Sequence, residues 1–217
     1  MSLLFSEYQL QSPQGPLRLP NRVVVAPMCQ YSAHEGEASD WHLMHWGNLL
    51  NSGAGLFMIE ATAVSPEGRI TPYCLGLWDQ KTQTALEDKL VRARKLAPQT
   101  SVFIQLAHAG RKASSAAPWQ GGQILPSENG GWETQAPSAI PQLKEQLLVF
   151  LRTYYRLGTT IICAPLRRIF VLIFFCSCAR HYGDINQSFQ LPPLYLEELD
   201  LYAQRSNWWL ENLSQRV

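Results

Sequence analysis

The sequence predicts an α/β fold with parallel strands, and two observations carry that expectation. First, three apolar runs, Val23-Val24-Val25-Ala26, Leu56-Phe57-Met58-Ile59 and Val102-Phe103-Ile104-Gln105-Leu106, are separated by two helix-like stretches. A strand–helix–strand–helix–strand order implies parallel pairing through right-handed crossovers. Second, each run leads at once into chemically useful side chains. Parallel strands end on the same edge of their sheet, where parallel α/β folds bind ligands. Cys29, Tyr31, Glu60, Thr62, Gln105, His108 and Arg111 are therefore expected to gather at one face.

Each element follows from local chemistry. Residues 1–20 hold Pro13, Gly15, Pro16 and Pro20 and read as an entry segment, a short hairpin closing one end of the fold. The first run is expected to be a strand buried on both faces, as parallel strands are. A polar loop, 32–39, follows it. Ser39 or Asp40 caps the next helix, and Gly53 or Gly55 ends it. The second strand, 56–60, leads into a long loop, 61–80, of the kind that carries function. Residues 81–97 form the clearest helix, with Leu86, Leu90, Ala93 and Ala97 on one face and Pro98 just beyond. After the third strand, residues 112–142 are rich in Ser, Ala, Gly, Pro and Trp, and read as an excursion over the ligand-binding face. There Trp119 and Trp132 either line a pocket or pack a loop.

Composition narrows the function classes. The chain has 217 residues, 46% of them hydrophobic and 16% charged, with a net charge of +1. That balance gives no argument for nucleic acid or an anionic membrane as partner. Five cysteines at irregular spacing, without a secretory signal in the first residues, read as reduced thiols in a cytoplasmic protein. The longest apolar run, 169–176, is far shorter than the roughly 20 residues that span a bilayer. The wider stretch 159–178 carries Arg167 and Arg168 near its middle, which argues against a transmembrane helix. His42 and His45 lie three apart on a helix but have no acidic or cysteine partner spaced to complete a site, so no metal is expected. Glu60 is read as a structural pairing group rather than a base, and His108 as a satisfied polar residue.

Several motifs occur together and in order. They are Pro27-Met28-Cys29-Gln30-Tyr31, Glu60-Ala61-Thr62-Ala63-Val64, Pro66-Glu67-Gly68-Arg69-Ile70, Gln105-Leu106-Ala107-His108-Ala109-Gly110-Arg111-Lys112-Ala113 and Ala136-Pro137-Ser138-Ala139. This set resembles the Old Yellow Enzyme family, in particular its cysteine-containing bacterial branch of FMN-dependent ene-reductases, over about residues 4–142. The resemblance implies the N-terminal part of a (β/α)₈ barrel, with FMN at the carboxyl edge of the strands. NADPH or NADH reduces the flavin, which passes hydride to the activated C=C of an α,β-unsaturated carbonyl. By the same resemblance Pro27 and Met28 pack against the flavin, and Cys29 sits near its reactive edge and tunes its potential. Tyr31 touches the substrate, and Ala61 and Gln105 hydrogen-bond the pyrimidine side. An isoalloxazine needs such an apolar wall with a few placed donors and acceptors. The implied partner is a small electrophilic alkene, and a homo-oligomer is compatible with it.

Residues 143–217 depart from the family pattern. The family's His-x-x-His-Gly-Tyr motif, which holds the substrate carbonyl, faces Cys176-Ser177-Cys178-Ala179-Arg180-His181-Tyr182-Gly183 here. Gln204-Arg205-Ser206-Asn207-Trp208-Trp209-Leu210-Glu211-Asn212 resembles a family segment read out of frame. The expectation is a divided chain: 1–142 the first part of an FMN-binding barrel, and 143–217 a truncated or frame-disrupted tail, with 169–175 as one buried strand. Two rival functions stand beside the enzyme: a non-catalytic remnant of the family, and an interaction or membrane-docking protein that uses the apolar tail.

Overall fold

The computed structural model describes residues 2–11 and 15–135, together with the backbone of 164–166 and 169–173. The expected boundary at 142/143 lies outside the described residues. The elements in chain order are β1 (Tyr8–Leu10), β2 (Leu17–Leu19), β3 (Val24–Val25), α1 (Asp40–Leu50), β4 (Leu56–Ala63), α2 (Gln80–Leu96), β5 (Ser101–Ala107), β6 (Ala164–Leu166) and β7 (Ile169–Ile173).

Strands β3, β4, β5 and β7 lie side by side and parallel, in that order. Within the stretch 169–175 expected as a strand in the tail, 169–173 form β7, paired with β5 from Val102↔Ile169 to Leu106↔Ile173. One strand departs from the all-parallel expectation: β6 pairs antiparallel with β7 at the end of the sheet. Its Pro165 has no N–H to give, which an outer strand tolerates.

Helices α1 and α2 cover one face of the sheet. Phe57, Ile59, Val102, Ile104 and Leu106 pack there against Trp46 and Leu50 of α1 and Leu86, Leu90 and Ala93 of α2. Fully burying one such side chain stabilises the fold by about 1.5–3 kcal/mol, so this layer dominates the cohesion. The opposite face carries Leu56, Met58 and Phe103, closed by Leu10, Leu17 and Leu19 of the β1–β2 hairpin. The entry segment therefore does what its prolines and glycine predict.

The N-cap of α1 is Ser39, as expected, but the helix ends at Leu50 with Asn51 as its C-cap, ahead of Gly53 and Gly55. Ser39 precedes α1 in an extended conformation, and its N–H is accepted by His42 Nδ1 at 3.0 Å. Asp79 Oδ1 accepts the Thr82 N–H at 2.8 Å at the start of α2. Asn21 sets the entry to β3 by accepting the N–H groups of Val23 and Gly55 and donating to Gly53 O. Gly55 must be glycine here, because a Cβ would lie 2.4 Å from the Asn21 carbonyl.

Two strands differ from the reading of the sequence. β3 is only two residues long, and Val24 is 48% exposed rather than buried, because among the described residues β3 pairs on one side only, with β4. β4 runs on to Ala63, three residues past the expected end. Its last residue is held by the returning loop, with Ala63 N–H donating to Leu75 O and Leu77 N–H to Ala63 O, both at 2.8 Å.

Candidate functional site

The parallel register brings the carboxyl ends of β3, β4 and β5 to one edge. Along β4 the ladder slips at Glu60: Ile59 pairs with Ile104, but Ala61 pairs with Gln105. Glu60 is thus the extra residue of a β-bulge, a device that re-aims a side chain and raises local twist. Without it Glu60, not Ala61, would stand beside Gln105.

The segment leaving β3 folds over this edge. Met28 is exposed, while Pro27, Cys29 and Tyr31 are half-buried. The Cys29 thiol lies beside the Ala61 backbone and the Tyr31 phenol, and thiol and phenol are close enough for each to bear on the ionisation of the other. Tyr31, Cys29, Ala61 and Gln105 therefore form one contiguous line across three strand ends. Tyr31 has φ 50°. This left-handed conformation is disfavoured by about 1–2 kcal/mol in a residue with a Cβ. Such outliers persist where the surroundings impose them, and they cluster at sites that must aim a side chain.

The electrostatics keep this line protonated. Burial, with the neighbouring Cys74 and Glu60, pushes the Cys29 thiol up to about 12. Burial, then Cys29, Cys74 and Glu60, pushes the Tyr31 phenol up to about 12. Both groups are neutral hydrogen-bond donors at physiological pH, and Cys29 is not poised as a thiolate nucleophile.

Glu60 is buried behind this line. Its Oε2 accepts the Gln30 N–H at 2.9 Å, and its Oε1 faces His42 Nε2 at 3.5 Å. It therefore anchors the turn that carries Cys29 and Tyr31, in keeping with the structural role expected of it. Thr62 does not join the face: it is fully buried, pairs in register with Leu106, and its hydroxyl donates to Glu60 O. The bulge decides this, since it turns Thr62 toward the helix layer with Leu106.

His108 turns into the loops above the strands. Its Nδ1 accepts the Gly110 N–H at 3.1 Å, and its ring lies on Gly68 so closely that a Cβ there would be 2.8 Å from Cδ2. Burial holds the His108 pKa below the usual imidazole range. The Pro66–Gly68 turn and the segment after β5 are thus interlocked, with Ala109 N–H also donating to Gly68 O at 2.8 Å. Arg69 completes the lock between two indoles, 4.9 Å from the Trp132 ring centre and 5.5 Å from that of Trp78. Trp132 Nε1 donates to Glu67 O at 3.0 Å. Trp132 thus packs a loop, while Trp119 stands 67% exposed beside Tyr31.

The profile of the NADH:flavin oxidoreductase / NADH oxidase family matches residues 13–151. The chain belongs to that family. A NADH:flavin oxidoreductase of Gibberella zeae is 47% identical over 126 residues, covering 57% of this chain and 30% of the relative. A morphinone reductase variant, solved in complex with tetrahydroNAD, is 25% identical over 73% of this chain and 42% of that one, with a TM-score of 0.50. The old yellow enzyme of Trypanosoma cruzi shares the fold at 23% identity and a TM-score of 0.50, over 66% of this chain and 36% of that one. The chain thus spans about a third of the length of these NADH:flavin oxidoreductase relatives. Its fold is the N-terminal part of the family's (β/α)₈ barrel, here an open sheet. Among the described residues no helix is long and apolar enough to cross a membrane.

Proposed function

We propose that this chain binds FMN along the Tyr31–Cys29–Ala61–Gln105 line and serves a cytoplasmic NAD(P)H-dependent reduction of the C=C bond of α,β-unsaturated carbonyl compounds. The observation that carries the reading is that contiguous line, built at the carboxyl edge of parallel strands in a chain of a flavin-dependent family. The residues suit the ring of a flavin. Gln105 is half-buried, and its side-chain amide makes no hydrogen bond among the described residues, so it has both donor and acceptor free for a heterocycle. Pro27 and Met28 offer a short apolar wall beside it.

When bound, FMN supplies the hydride relay between the nicotinamide and the alkene. The chain's own residues do the rest. Ala61 and Gln105 bind and orient the pyrimidine side, and Cys29 presents a neutral thiol that tunes the ring through hydrogen bonding and polarity. Tyr31 holds its proton on the phenol oxygen and offers it toward the substrate side. The tetrahydroNAD complex of morphinone reductase supports nicotinamide as the reductant, with NADH and NADPH both accommodated by the reading.

The test is an FMN difference spectrum on the purified 217-residue chain, followed by NADPH or NADH under anaerobic conditions. A perturbed flavin band that bleaches on reduction is the expected result. A spectrum identical to free FMN overturns the reading. Replacing Gln105 by Ala should weaken binding by about tenfold, the worth of a hydrogen bond of roughly 1–1.5 kcal/mol.

A further inference from the structure

We propose that Trp119 is a specificity-determining residue of this site, forming with Tyr31 an aromatic slot that favours planar, aryl-bearing electrophilic alkenes over small aliphatic ones. The proposal rests on the substrate reading above. Its basis is the ring pair itself: the Tyr31 and Trp119 centroids are 5.6 Å apart with the planes at 80°. Edge-to-face pairs leave one ring face open, and a third ring gains about 0.5–1.5 kcal/mol by joining it.

Both partners are held in place. Tyr31 is aimed by its left-handed backbone. Trp119 sits at the tip of a braced hairpin. Ala116 N–H donates to Gln123 O and Leu125 N–H to Ser114 O, both at 2.7 Å. Ser115 N–H reaches Ile70 O at 2.8 Å, which fixes the hairpin to the loop after β4. The left-handed Gly121, at φ 100°, turns the chain back after Pro118–Gln120. Ala113, Ser114, Ala116 and Ala117 are buried beneath it. An indole left 67% exposed on so rigid a mount loses little side-chain entropy when a ligand meets it. The contrast with Trp132, which is spent on Glu67 and Arg69, separates an indole that packs from one that is presented.

Cys29 supplies a reporter that needs no flavin, because it lies beside Tyr31, two residues away in the same turn. Its thiolate adds to an electron-poor alkene: sulfur bonds one alkene carbon and the other takes a proton from water. The experiment compares alkylation of Cys29 by N-phenylmaleimide and N-methylmaleimide at pH 9, followed by peptide mass mapping. Each rate is normalised to that of free glutathione. The full chain is used as wild type, Trp119→Ala and Trp119→Phe, with circular dichroism to show that these exposed-site variants keep the fold.

The expected result is a phenyl-over-methyl preference in the wild type that falls two- to tenfold in Trp119→Ala, the size of one aromatic contact. Trp119→Phe should retain most of it. An unchanged ratio, or equal acceleration of both reagents, overturns the proposal, since Trp119 would then be a shield rather than a wall. Failure of the flavin titration leaves this outcome untouched. Equally, an unchanged ratio in a chain that binds FMN removes the role of Trp119 alone.

Discussion

Glu60 Oε1 and His42 Nε2 face each other at 3.5 Å in the interior, one from the bulge of β4 and the other from the first turn of α1. His42 Nδ1 accepts the Ser39 N–H, so in the neutral ring the proton is on Nε2, the nitrogen nearer Glu60. The second carboxylate oxygen holds the Gln30 N–H. One buried side chain thus couples the start of a helix to the turn that bears Cys29 and Tyr31.

Glu60→Ala should therefore lower the unfolding free energy by about 2–3 kcal/mol, because it strips a charged acceptor from a partly buried N–H and leaves His42 facing nothing. Glu60→Gln keeps a carbonyl for Gln30 and should lose less than half as much. Urea unfolding of the three proteins measures the difference. Equal losses for Ala and Gln would show that the Gln30 hydrogen bond contributes nothing.

The Cys29 thiol should titrate far above an ordinary cysteine. Burial is the largest cause, and Glu60 adds a negative charge that disfavours the thiolate. Iodoacetamide alkylation of Cys29 should still be accelerating at pH 10, where a free thiol has levelled off above about 8.5. In Glu60→Gln the profile should move to lower pH. An inflection near 8.5 in the wild type would mean that the thiol is not held in this environment.

His108 predicts a pH-dependent stability. Burial lowers its pKa in the folded chain, so the unfolded chain binds the proton more tightly. Its contribution is complete above the unfolded value of about 6.5 and declines as pH falls through that value and on through the lower folded one. His108→Gln should flatten the fall in melting temperature between pH 7 and pH 5. An unchanged slope would assign the acid sensitivity to other groups.

Gly68→Ala should cost about 1–3 kcal/mol, the usual penalty for adding a methyl to a filled space. The new Cβ would meet the His108 ring at 2.8 Å. The double variant Gly68→Ala with His108→Ala should recover part of that loss in thermal unfolding. Strict additivity of the two changes would remove the contact as the cause.

The sequence revealed much of this architecture because its signals are local. Apolar runs placed β4 and β5 in the right order, and Leu86, Leu90 and Ala93 marked the buried side of α2. Ser39 and the proline-rich entry segment were equally readable, since capping and turn chemistry act within a few residues. What stayed hidden depends on distant partners. The shortness of β3 follows from its one-sided pairing, which no local pattern records. The bulge was invisible because Glu60 looks like an ordinary strand-end residue, and the side chain it faces, His42, lies 18 positions earlier. A charged residue inside an apolar run was the signal available. Trp119 and Trp132 share the same composition around them, and only the placement of Arg69 and Tyr31 separates their roles.

The bulge at Glu60 also separates the anchoring of β4 from its ladder. One extra residue lets a single strand serve two layers, sending Glu60 to the His42 contact and Ala61 to the rank of Gln105. Deleting that residue would restore a regular ladder with Ile59 still beside Ile104 and Ala61 still beside Gln105, so every other side chain of the strand would keep its face. A one-residue deletion here should therefore cost about as much as Glu60→Ala, because both remove the carboxylate that holds Gln30 and faces His42 and neither moves Ala61 away from Gln105.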